Sequence, residues 1–98
     1  MNVIIQKSKK PDKKLDAIID GKKIVSFGSA GMSDYIHHKN VQRKERYITR
    51  HEKNEDWTKS GIKSAGFYSR WVLWNKKTLK ESVDDLNKKY KNITFKSK

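Results

Sequence analysis

The apolar positions in the first thirty residues fall into short β-prone clusters separated by turn signals. Val3-Ile4-Ile5 predicts a first strand, Leu15 to Asp20 a second and Lys23 to Phe27 a third, with a Lys-rich loop from Lys7 to Lys14 holding the only proline, Pro11. Asp20-Gly21 reads as a hairpin turn, since glycine accepts the positive φ such turns need. Setting Leu15 opposite Phe27 and Ala17 opposite Val25 puts four apolar side chains on one face, because residues two apart in a strand share a face. The pattern alone leaves the register open.

After Gly28-Ser29-Ala30-Gly31 the period lengthens. Ser33 or Asp34 can cap a following helix by accepting a hydrogen bond from its first-turn amides. Val41, Tyr47 and Ile48 give the stretch from about Val41 to Glu52 a thin apolar stripe. Phe67, Trp71 and Trp74 then recur at offsets of four and three, widened by Val72 and Leu73, which predicts a short, almost fully buried helix with Ser64 as its cap. Thr78-Leu79-Lys80-Glu81 is a capping box, and Leu79, Val83, Leu86 and Tyr90 follow at helical spacing. That helix should end near Lys91-Asn92, leaving Ile93-Thr94-Phe95 to add a strand and residues 96–98 as a frayed basic tail. The expected architecture is a single α+β domain over residues 1–98, with a small antiparallel sheet of three to four strands packed against two to three helices.

Charge changes the picture most. The 98 residues carry 24 Lys and Arg against 11 Asp and Glu, a formal charge of +13, which favours polyanionic partners and nucleic acid above all. Lysines far outnumber the four arginines. Lysine is a mobile point charge suited to phosphate, whereas base edges are read by arginine forks, so contact blind to sequence is expected. With 36% charged residues the composition approaches disorder, but ten aromatics argue for folding. The absence of cysteine removes disulfides, thiolate metal sites and thiol nucleophiles. No apolar run reaches the roughly 20 residues of a membrane span, and no signal-peptide core is evident, so the chain is expected neither in a membrane nor secreted.

The densest candidate surface is Lys39, Arg43, Lys44, Arg46 and Arg50. On a helix Lys39, Arg43, Arg46 and Arg50 line one face and form a ridge that can follow a phosphate backbone. A solvated face without a partner is the plainer reading of such a run. Lys59 and Lys63, flanking Ser60-Gly61 before the aromatic helix, are secondary contacts, although no phosphate-binding loop spacing is present. The aromatic run could stack bases, but core packing is the more economical account in so small a domain. Trp57 and Tyr47, outside the strongest core patterns, are candidate interface rings for a homodimer. His37, His38 and His51 lie at the two ends of a charged helical segment and lack any catalytic or metal-binding spacing, so no enzyme activity, metal or cofactor is expected.

The residues Val25-Ser26-Phe27-Gly28, Ser33-Asp34-Tyr35, Arg43-Lys44-Glu45-Arg46-Tyr47, Asn54-Glu55-Asp56-Trp57-Thr58, Gly66-Phe67-Tyr68-Ser69 and Leu73-Trp74-Asn75 resemble a family of small basic proteins of unknown function from nucleocytoplasmic large DNA viruses, over most of residues 3 to 90. The resemblance implies a viral source and supplies no catalytic residue. It fits a virion-packaged, genome-associated protein acting in the virion and in the host cytoplasm or nucleus. The expected function is therefore non-enzymatic, sequence-tolerant binding of viral DNA, less readily RNA. The alternative is a structural or protein-interaction component of the virion or host nucleus with an acidic protein partner.

Overall fold

The computed structural model describes residues 1–98. Strands β1 (Asn2–Lys7), β2 (Lys13–Ile19) and β3 (Lys23–Ser29) form an antiparallel meander. Asp20 and Gly21 in the β2–β3 turn have φ of 52° and 68°, the paired left-handed geometry that suits a tight hairpin. Leu15 faces Phe27 and Ala17 faces Val25, the register that gathers the apolar side chains on one side.

A fourth strand, β4 (Thr94–Ser97), completes the order β3-β2-β1-β4. It runs parallel to β1, with Val3 opposite Phe95, so the sheet is mixed where a purely antiparallel one was expected. A parallel neighbour requires a long crossover, and all the helical segments supply it. The tail expected to fray is also ordered by this pairing: Lys96 and Ser97 partner Ile4 and Ile5, and the Lys98 amide donates to Ile5 O at 2.8 Å.

The crossover contains α1 (Tyr35–His38), α2 (Val41–His51), a 3₁₀ turn (Lys59–Gly61), α3 (Ala65–Tyr68) running into a π-helical turn (Ser69–Leu73), and α4 (Leu79–Lys89). Each helix start is closed by a side chain. Asp34 accepts from the His37 amide, Asn40 from Arg43, Ser64 from Phe67 and Thr78 from Glu81, and the Thr78 hydroxyl donates in turn to the Glu81 carboxylate.

One core joins these layers. Val3, Ile5, Ala17, Ile19, Val25, Phe27 and Phe95 from one face of the sheet pack against Phe67, Tyr68, Val72, Leu73, Val83 and Leu86. Full burial of a large apolar side chain stabilises by roughly 1.5–3 kcal/mol before the entropy of ordering is counted. Gly28, at φ 78°, lets Leu73 approach so closely that a Cβ there would sit 2.6 Å from Leu73 Cδ1. The aromatic segment is only partly as buried as its spacing suggests: Trp71 and Trp74 are half-buried. The Trp74 amide bonds to Ser69 O, five residues back, and this wider turn rotates both indoles off the face that a 3.6-residue period assigns.

Candidate nucleic-acid interface

The helix α2 has two unlike sides. Tyr47 is its anchor, buried at 6% exposure and stacked on Trp74 and on His51 with centroids 4.4 and 4.5 Å away, with Trp57 beyond at 6.2 Å. The dimer contact expected of Tyr47 is thus spent inside its own chain. Trp57 is half-buried against the same stack, and its indole N–H donates to Glu55 Oε1 at 2.9 Å.

The outer side of α2 carries Arg43, Arg46 and Arg50, all exposed. They border a groove of about 820 Å³, with Glu45 among them, whose other wall is Met32, Ser33 and Trp74. Only Lys14 and Lys80 among the 24 Lys and Arg reach ion-pair distance of a carboxylate. The three arginines therefore stand at helical neighbour spacing with no internal counter-ion.

The expected ridge is shorter than its spacing promised. Lys39 lies outside α2: its backbone is left-handed, φ 54°, where α1 ends, and its amine donates to Ile36 O. Lys44 turns inward, donating to Asn75 O at 2.8 Å and lying 4.7 Å from the centre of the Tyr35 ring. Burial, helped by the charge of Arg70, pulls the Lys44 amine below its usual range. Lys59 and Lys63 are exposed on the 3₁₀ turn and the link to α3, and neither borders the groove.

The Met32–Ser33 wall is held by Asp34, which is 1% exposed. Its carboxylate accepts from Lys14 Nζ at 2.5 Å and lies 2.8 Å from His37 Nδ1. Burial alone would raise the pKa of this carboxyl, but hydrogen bonds and charge from Lys14 and His37 outweigh it and hold it below the ordinary range. On the far side of the same wall lies a second groove, about 790 Å³, rimmed by Lys7, Lys9, Lys10 and Lys13 over a floor of Leu15, Ile36, Leu73 and Leu79. Met32, 67% exposed, stands on the divide between the two.

The remaining histidines are engaged separately. His38 packs on Trp74 and accepts from the Asn40 amide, and burial lowers its pKa; His51 lies 3.2 Å from Glu55.

Arg70 and the lysine-rimmed groove escaped the sequence reading. The Arg70 guanidinium sits 4.4 Å from the Trp71 ring and 5.5 Å from that of Trp57, and donates to Trp74 O at 2.8 Å. It is the one arginine built into the fold, tying the π turn to the aromatic stack. An arginine interleaved with tryptophans was the available signal. The second groove is assembled from residues 7–15, residues 30–37, the end of the π turn and the start of α4, which spacing along the chain does not reveal.

Among known proteins, residues 3–51 match the model of a family of unknown function. No curated protein and no solved structure matches the chain. The matched stretch runs from β1 to the end of α2 and includes Arg43, Arg46 and Arg50.

Proposed function

Because the chain belongs to DUF5754, a family of unknown function, its activity has to be argued from its own surface, and we propose that it is a non-enzymatic, sequence-tolerant nucleic-acid-binding protein. The observation that carries this reading is the set of three exposed, unpaired arginines along the groove of α2 in a chain of charge +13. Like charges at i, i+3 and i, i+4 on a helix repel, at roughly 0.2–0.5 kcal/mol a pair. A phosphate backbone laid in the groove relieves that repulsion and releases condensed counter-ions. Lys7, Lys9, Lys10 and Lys13 extend the cationic surface across the Met32 divide. Duplex DNA is the favoured partner, and a viral genome is the source that the sequence resemblance suggests. The deciding experiment is a salt-titrated binding assay on duplex DNA, single-stranded DNA, RNA and an acidic protein. Affinity for all nucleic acids that falls steeply with salt supports the reading; no binding at low salt ends it.

A second reading rests on the lysine-rimmed groove. Its apolar floor is of no use to a phosphate backbone, whereas an acidic protein segment with apolar residues on one side would use both floor and rim. Preference for the acidic protein in the same assay would favour this alternative.

A further inference from the structure

All the core helices pack on one face of the sheet. The opposite face presents Ile24, Ile18 and Ile4 as direct cross-strand neighbours on β3, β2 and β1. None of the three belongs to the core, and Ile24 is 58% exposed. At the other end of this row, against β4, is a hollow of about 200 Å³ bordered by Asn2, Ile4, Thr94 and Lys96. The row therefore has a projection at one edge and a recess at the other.

Charge on this face is unlike the rest of the molecule. The outward-facing strand positions carry one cation, Lys96, and one carboxylate, Asp16, with Lys10 of the β1–β2 loop near Asp16, so the strands themselves add no net charge to this face within a chain of +13. Two such strongly cationic bodies approach most closely where the repulsion is weakest, and this face provides the place.

We propose that this face is the interface of a homodimer. Aligned sheets pack face to face about 10 Å apart with their strands within about 30°. A twofold axis along the strands, between β1 and β2, then sets Ile18 against Ile4 and brings Ile24 of each copy over the hollow between Thr94 and Lys96 of the other. The interface is self-complementary, as an isologous contact must be. The helical layers end up on the outside, so the two arginine grooves face away from each other. If the nucleic-acid reading holds, the dimer joins two separate duplexes rather than gripping one.

Light scattering should give twice the 11.5 kDa of the chain. Ile24→Lys and Thr94→Lys, both at exposed positions, should each return the mass to that of one chain with an unchanged circular dichroism spectrum. The protein has no cysteine, so Ile24→Cys mixed with Thr94→Cys should be joined by a short thiol–thiol cross-linker far more efficiently than either variant alone. A single-chain mass at every concentration, a dimer that survives both lysine variants, or cross-linking as efficient within one variant as in the mixture overturns the proposal. Two differently labelled duplexes should be brought together by the wild type and not by Ile24→Lys, which still binds one duplex. A dimer that binds no duplex leaves the interface standing and removes the nucleic-acid reading instead.

Discussion

The ring of Tyr47 lies flat on that of Trp74, the two planes 1° apart with centroids at 4.4 Å. This contact fixes α2 to the segment that follows the π turn, and with it the direction in which Arg43, Arg46 and Arg50 point. Tyr47→Ala should lower stability by about 3 kcal/mol, the low end for truncating a buried large aromatic, whereas Tyr47→Phe keeps the stack and should cost much less. Urea denaturation followed by tryptophan fluorescence measures both.

Tyr68 is fully buried and its hydroxyl has no hydrogen-bond partner. A buried polar group left unpaired costs about 1–3 kcal/mol, so Tyr68→Phe should stabilise the protein by about 1 kcal/mol in thermal or urea unfolding. Burial raises the ionisation of Tyr47 and Tyr68 well above the ordinary range. The folded-state values lie above the unfolded one, so the contribution is complete below about pH 10 and is lost as pH rises beyond it. Alkaline unfolding should begin there, and Tyr68→Phe should soften it.

Asp34 joins Lys14 of β2 to His37 of α1 and caps that helix. Its removal strands the Lys14 amine, so Asp34→Ala should cost about 3 kcal/mol. Because the folded carboxyl ionises below the ordinary range, its stabilisation is present above about pH 4 and is lost as pH falls through the depressed value. Chemical denaturation between neutral and acid pH should show a shallower decline for Asp34→Asn than for the wild type.

Replacing Arg43, Arg46 and Arg50 together by Gln should leave the fold within about 0.5 kcal/mol per site. The slope of log affinity for duplex DNA against log salt should become shallower by about 3, since each lost phosphate contact removes roughly 0.9. An unchanged slope with an unchanged circular dichroism spectrum would move the binding surface off α2.

The features legible in the sequence were those set by near neighbours. Leu15 and Phe27 share the core face because the two-residue period puts them there, although their exact pairing also depends on Lys22 joining Asp20 and Gly21 in the turn, and Ser64 and Thr78 cap helices whose apolar spacing begins just after them. What escaped depends on the path of the whole chain. Nothing near Thr94 tells it to lie parallel to β1 rather than antiparallel to another edge. Lys44 reads as one more charge in a basic run, yet its four-carbon stem lets the amine cross to the Asn75 carbonyl. Lys39 sits at helical offset from Arg43, but the left-handed turn at its own backbone separates them. The site accordingly contracts to three arginines, and its second wall, Met32 and Ser33, comes from a loop the pattern marked only as a break.

The parallel pairing of residues 2–5 with residues 94–97 also shapes the life of the chain before it is folded. While it is being made, the meander of β1, β2 and β3 can form early, but the outer edge of β1 stays unpaired until β4 has been synthesised. A bare strand edge beside Val3 and Ile5 is a template for pairing with other chains. The final closure is also the contact of longest range, the kind that slows folding most. Nascent protein is therefore most exposed to aggregation just before its last strand docks, and loss of residues 94–97 would make that hazard permanent.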